Sequence, residues 1–246
     1  MNPEIEKIPL VIPVFNQLTY TRNLINWFHF YYPNNPIYIV DNGSTYEPLV
    51  QHYLHGTFEF MAKVGVFRYK ENNFHVNMDA FIKGYIHQNY EYYIISDPDI
   101  MPHPSTPGNF LETFKDLITV GYHRAGFGLI TAGITVHNYQ TVINNEEELK
   151  NGSLEVYHPS RWVGRKSPID TTFCLYSVAN GGWSSPMNGR DWGNCVRIFE
   201  AFHLPWHLDE NNLSDEMKYY FEHCNKHVPG QPSAGANNYR PKQYEI

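Results

Sequence analysis

Cysteine is scarce in this chain of 246 residues. Cys174, Cys195 and Cys224 are too few and too scattered for a disulfide scaffold or a zinc cluster. Buried free thiols in a reducing compartment are the expectation. Positive charge is also short: 18 Lys and Arg face 25 Asp and Glu, a formal charge of −7. With no basic stripe to neutralise phosphates, nucleic acid is excluded as a partner. No apolar run approaches the roughly 20 residues that span a bilayer, so no transmembrane segment is expected. Met1 to Lys7 is polar and acidic, unlike a signal or transit peptide. These absences point to a cytoplasmic protein, with peripheral membrane association left open. Neither Gly-x-Gly-x-x-Gly nor Gly-x-x-x-x-Gly-Lys-Ser/Thr occurs, which removes the dinucleotide fingerprint and the P-loop.

Aromatic residues, by contrast, make up 16% of the chain, with 19 tyrosines; their flat amphipathic surface suits sugars, bases and protein partners alike. The first hundred residues alternate in period. Ile8–Phe15, Ile37–Val40, Val64–Tyr69 and Tyr92–Ile95 read as strands; Leu18–Tyr31, Glu47–Leu54 and Val76–His87 between them read as helices. Pro13 is expected at the end of its strand, because proline is disfavoured inside a sheet, and Thr19 or Thr21 is available as the first helix's N-cap. Strand–helix alternation implies a parallel sheet with right-handed crossovers.

Later segments are more varied. Phe110–Ile118 and Ser214–Cys224 read as helices; Ala125–Val136, Ile169–Tyr176 and Cys195–Phe202 have strand character. Asn144–Asn151 reads as a solvated helix end, Ser177–Asn194 as a long functional or mobile loop, and 230–246 as a polar, loosely ordered tail.

Two of the first-half strands end in acidic turns, Asp41-Asn42-Gly43-Ser44 and Ser96-Asp97-Pro98-Asp99. Such sequences make good turns in their own right. Carboxylates at the end of a buried strand are nevertheless costly unless a cation neutralises them. A parallel sheet would place both turns on one edge, where α/β proteins bind nucleotides, often with a metal on the phosphates. Pro102 and Pro104 are expected to stop regular structure beyond the second turn.

The order Val11-Ile12-Pro13-Val14-Phe15-Asn16, then Ile39-Val40-Asp41-Asn42-Gly43-Ser44, then Ser96-Asp97-Pro98-Asp99 resembles a GT-A glycosyltransferase, family-2-like. His203-Leu204-Pro205-Trp206 is similar to a segment of bacterial members, where a histidine completes the metal site. The resemblance extends to about Cys224. It implies an α/β GT-A fold: a Rossmann-like, mostly parallel central sheet flanked by helices, with a smaller mixed acceptor-side sheet. Residues 1–229 would form one domain, with 1–101 holding the nucleotide and 102–229 the acceptor. There are two departures: Asn42 stands where the family often has a second acid, and Asn72-Asn73-Phe74 replaces the usual Asn-x-Gly.

The implied activity is metal-dependent transfer of a sugar from a nucleotide-diphosphate donor, UDP foremost, to a glycan, lipid-linked or protein-linked hydroxyl, with inversion. Mn²⁺ or Mg²⁺ would sit on Asp99 and His203, with Asp97 beside the ribose or a metal-bound water and His207 as the competing ligand. Pro13, Val14, Phe15, Asn16, Asp41, Gly43, Asn73, Asp97 and Pro98 would line the donor. Asp170 would be the base and Asp191 its alternative; Asp170 also suits an Asx turn. Trp162, Trp183 and Trp192 are candidates either for stacking on a sugar face or for packing. The rival readings are a nucleotidyltransferase, disfavoured because 16–22 lack glycine and lysine, and a non-catalytic carbohydrate- or partner-binding protein on the same fold.

Overall fold

The computed structural model describes residues 5–58, 63–135, 140–151, 154–157, 162–169, 172–183 and 194–224. Asp170, Asp191, Trp192 and the 230–246 tail lie outside these residues.

The first half alternates as the periodicity predicts. Strands β1 (Leu10–Val14), β2 (Ile37–Asn42), β3 (Val64–Tyr69) and β4 (Tyr92–Ile95) are separated by helices α1 (Leu18–Tyr31), α2 (Glu47–Leu54) and α3 (Phe74–Phe81). The last helix runs through a π turn, Ile82–Ile86, into the short α4 (His87–Asn89). The strands are parallel and ordered β3-β2-β1-β4, so their carboxyl ends share one edge. Because β2 and β3 lie on one side of β1 and β4 on the other, the strand order reverses at the β1/β4 boundary. Ligand crevices of open α/β sheets form at such a boundary.

Period-2 alternation splits the core in two. Leu10, Ile12, Val14, Ile37, Ile39 and Ile94 face one side, packing with Phe28, Tyr32 and Phe110. Val11, Val40, Tyr93 and Ile95 face the other, against Met78, Phe81, Ile82 and Ile86. Burial on both faces is why these strands read as continuous apolar runs. Cys174 and Cys195 are buried thiols, Cys224 is a half-buried one, and none of the three is in a disulfide.

The second half comprises β5 (Ile100–Pro102), α5 (Phe110–Thr119), β6 (Arg124–Leu129), α6 (Gln140–Asn151), β7 (Leu154–Tyr157), β8 (Val163–Lys166), β9 (Cys174–Ser177), β10 (Cys195–His203) and α7 (Asp215–His223). Strand β9 inserts between β4 and β6, antiparallel to both, and joins this mixed half to the parallel half. One edge of β10 pairs with β6 in parallel. The other takes β8 at Val196 and Arg197, then β5 at Ala201–His203, both antiparallel.

Several expectations change in detail. Pro13 lies within β1, but on the side of Val11, whose carbonyl accepts the Ser96 N–H. It therefore faces past the end of β4, where no N–H is required. The prolines after Asp99 do not abolish regular structure: Ile100–Pro102 pairs with the open edge of β10, a place where proline is tolerated. Neither threonine is the N-cap of α1. Gln17 occupies that position without a side-chain cap bond to the helix, and Thr21 Oγ1 donates to the Gln17 carbonyl. The 144–151 segment ends α6, and Glu146 in it is buried against Arg197, with Oε2 2.5 Å from Nη1.

Candidate active site

At the β1/β4 boundary, one bond that sequence reading missed joins the loops after the two strands. Gln17 Nε2, in the loop after β1, donates to Asp99 Oδ2, after β4, at 3.1 Å. Asp99 is only 6% exposed, and its other oxygen, Oδ1, accepts no hydrogen bond. A buried carboxylate oxygen without a partner is costly and marks a position for a cation or donor. The Asp99 backbone is fixed as well, its carbonyl taking the Leu204 N–H at 2.9 Å.

His203 ends β10, in register with Ile100 of β5, and so arrives beside Asp99. Its Nε2 stands 3.7 Å from Asp99 Oδ1, too far for a hydrogen bond. Burial pulls its pKa below the usual histidine value; Asp99 pushes it back up, and His207 lowers it further. Burial outweighs the carboxylate, so the imidazole is neutral at neutral pH and carries a lone pair. Its ring stacks on Trp206, centroids 4.8 Å apart. The competing histidine is directed elsewhere: His207 Nδ1 lies 3.1 Å from the Gly133 carbonyl. Asp97 is half-buried, and its carbonyl accepts from Ser96 Oγ at 3.0 Å and Ile100 N at 3.3 Å. Pro98 is buried between the two acids. Among the described residues no group of three His, Cys, Asp or Glu forms an all-protein metal cage.

The β1 and β2 turns are bound to each other. Asn16 adopts φ +57°, a left-handed conformation that asparagine tolerates. Its N–H donates to Ser44 Oγ at 2.8 Å, and its Oδ1 accepts from Thr45 N at 2.7 Å and Tyr46 N at 2.9 Å. Pro13 and Val14 are buried and Phe15 is half-buried. Asp41 is fully buried, and both of its oxygens have internal partners. Oδ2 accepts from Ser44 N at 3.3 Å and Arg68 Nε at 3.4 Å, and Oδ1 accepts from Tyr53 OH at 3.4 Å. Burial raises its pKa, opposed by the Ser44 bonds and the Arg68 charge. In this structure Asp41 holds the turn. Gly43, at φ +74°, lies where a Cβ would come within 3.0 Å of the Glu71 and Lys70 backbones. Asn42, the departure from the acidic pattern, accepts from Asn77 Nδ2 at 2.9 Å, an amide pairing that an extra buried charge would not improve. Asn73 is exposed at the start of α3 and makes no side-chain cap bond.

Helix α7 covers this edge from the far end of the sequence. Ser214 caps it, accepting from Met217 N at 3.3 Å. Both Glu216 carboxylate oxygens accept from Thr19 N at 3.0 Å, and Oε2 also accepts from Thr19 Oγ1 at 2.7 Å. Tyr219 OH donates to Thr45 Oγ1 at 3.0 Å. Tyr20 lies close to both acids, and its pKa is driven far up by burial, then by the Asp99 and Glu216 charges. Of the tryptophan candidates, Trp183 is core, 3% exposed, while Trp162 is 37% exposed.

No family model and no curated protein matches the sequence. Solved structures do match in shape. GalNAc-T7 with UDP, GalNAc and Mn²⁺ superposes with a TM-score of 0.51 at 10% identity, covering 80% of this chain and 43% of that one. This chain thus spans less than half of the GalNAc-T7 chain. The mannosyltransferase PcManGT from Pyrobaculum calidifontis, in complex with GDP-Man and Mn²⁺, gives 0.50 at 12% identity, covering 95% of this chain and 69% of that one. Parallel β3-β2-β1-β4, antiparallel β9, flanking helices and these two likenesses together give the chain a GT-A glycosyltransferase-type fold.

Proposed function

We propose that the protein is a metal-dependent glycosyltransferase using a nucleotide-diphosphate sugar, UDP-linked in the first instance. The observation that carries the reading is the buried Asp99 Oδ1, which accepts no hydrogen bond, 3.7 Å from the imidazole of His203 at the β1/β4 boundary. The two structural relatives, solved with UDP or GDP-Man and with Mn²⁺, support it.

A carboxylate oxygen and a neutral imidazole suit Mn²⁺, and Mg²⁺ less well. Asp99 and His203 would hold the ion, with the donor's phosphate oxygens completing its shell and Asp97 placed toward the ribose or a bound water. When bound, the metal neutralises the charge that develops on the departing diphosphate. The remaining work falls to the chain. Gln17 fixes the rotamer of Asp99, and the Asn16–Ser44 and Asn16–Thr45 bonds hold the two turns that flank the nucleotide. Pro13 to Asn16, Gly43, Asn73 and Pro98 would form its walls, while Asp41, buried and bonded through both oxygens, holds the β2 turn among them. Residues 1–101 would serve the donor and 102–229 the acceptor.

Transfer then needs a base. Asp170, or alternatively Asp191, takes the proton of the acceptor hydroxyl. The freed oxygen bonds the anomeric carbon as its bond to the diphosphate breaks, the electron pair leaving on the phosphate oxygen. A single displacement inverts the anomeric centre. Calorimetric titration of UDP, GDP and dTDP with and without Mn²⁺ tests the donor half; metal-dependent binding of one nucleotide is expected. Binding indifferent to metal would refute the metal site. Asp170→Asn should retain that binding and lose transfer by about 100-fold or more, the usual contribution of a general base. Transfer unchanged in Asp170→Asn and lost in Asp191→Asn would reassign the role.

A further inference from the structure

Helix α7 lies over the edge where β1 and β2 end, and its apolar footing is small. Leu213, Met217 and Phe221 form a cluster of their own, with Tyr20 from the first turn of α1 packed against it. The chain arrives there from His203 through two 3-10 turns, Leu204–His207 and Glu210–Asn212. This strap is pinned at its start, where Leu204 N donates to the Asp99 carbonyl at 2.9 Å.

We infer that Glu216 and Tyr219 of α7 are positioning residues, which hold the loop after β1 in the shape that receives the nucleoside diphosphate. The inference rests on the glycosyltransferase reading for the identity of the ligand, but not for the positioning itself. Glu216, 6% exposed, grips both the backbone N–H and the hydroxyl of Thr19. Thr19 is two residues from Gln17, whose carbonyl accepts from Thr21 Oγ1 and whose side-chain amide donates to Asp99 Oδ2 at 3.1 Å. Tyr219 reaches the other side of the loop. Its hydroxyl donates to Thr45 Oγ1 at 3.0 Å, and its ring lies 5.2 Å from that of Tyr46. Thr45 and Tyr46 are the residues whose N–H groups donate to Asn16 Oδ1. The two α7 side chains therefore brace consecutive residues, Asn16 and Gln17, from opposite sides.

The loop needs such bracing. Asn16 stands at φ +57°, a conformation that asparagine keeps through local hydrogen bonds, and Gln17 makes no cap bond to the helix it precedes. A site residue on a loop is precise only when its backbone and rotamer are fixed from behind. By linkage, loosening α7 weakens the diphosphate, and a bound diphosphate tightens α7 by the same factor.

The test measures hydrogen exchange by NMR on the full chain without ligand, then titrates it with Mn²⁺ and UDP, GDP or dTDP in a calorimeter. Glu216→Ala should speed exchange of the Gln17 side-chain amide about 10-fold or more, and Tyr219→Phe that of the Thr45 N–H, as local opening allows. Each should weaken the nucleotide that the parent binds by about 5-fold, the low end of coupling between sites. Tyr219→Phe removes a single hydroxyl, so it keeps the test open should Glu216→Ala unfold. Ile86→Val, in the core on the sheet face opposite α1, should lower stability yet leave both exchange rates and the affinity unchanged. Exchange unaltered in both α7 variants, parental affinity in both, or an equal loss of affinity in Ile86→Val would overturn the positioning role. Faster exchange in a chain that binds no nucleotide would leave the positioning standing and sink the transferase reading. Nucleotide binding with unaltered exchange would do the reverse.

Discussion

Glu216→Ala should lower stability out of proportion to its position near the end of the described chain. Helix α1 has no acidic residue in its first turn and no side-chain cap bond from its N-cap, Gln17, to its own amides. Its amide end is served instead by a carboxylate 197 residues away, through two contacts to Thr19 N at 3.0 Å and one to Thr19 Oγ1 at 2.7 Å. Loss of a helix cap costs about 1 kcal/mol, and loss of a negative charge at a partly buried helix N-terminus about 1 kcal/mol more. A total near 2 kcal/mol corresponds to a fall in Tm of roughly 4–8 °C for a chain of this size. Calorimetric unfolding measures it. A double-mutant cycle with Thr19→Ala should return a coupling above about 0.5 kcal/mol. A Tm within about 1 °C of the parent, or no coupling, would refute the assignment of Glu216 as the cap of α1.

Two further outcomes follow from the same geometry. Gly43→Ala forces a Cβ into the left-handed region and within 3.0 Å of the Lys70 and Glu71 backbones, and should cost at least about 1–2 kcal/mol, read as a lower denaturant midpoint; an unchanged midpoint would show that the β3–α3 loop yields freely. His203 has a folded pKa below its unfolded value of 6.5, so the unfolded chain binds the proton first. Stability contributed by the neutral imidazole is full above 6.5 and is lost as pH falls from there toward the folded value. His203→Gln should flatten that part of the stability–pH curve, and a slope identical to the parent's would contradict the burial argument.

The parallel half was legible because β1, β2 and β4 are buried on both faces and the helices between the strands carry apolar stripes, so local period and topology agree. The acidic turns after β2 and β4 were legible for a related reason: Asp41 and Asp99 interrupt apolar runs with charge. The two prolines after Asp99 misled because they suppress strand propensity, whereas β5 is set by its partner, the free edge of β10. Gln17, Glu146 and Glu216 left no local signal at all. Their partners, Asp99, Arg197 and Thr19, are 82, 51 and 197 residues away, and ordinary polar residues in a loop or on a helix look alike until the chain is folded.

The pairing of Asp99 with His203 is tested most directly by a crystal grown with Mn²⁺ and the nucleoside diphosphate that binds. The predicted result is an anomalous peak within bonding distance of Asp99 Oδ1 and His203 Nε2, with the diphosphate in the crevice between β1 and β4 and no such peak in Asp99→Ala. A metal and nucleotide seated elsewhere, or a peak that persists unchanged in the variant, would contradict it.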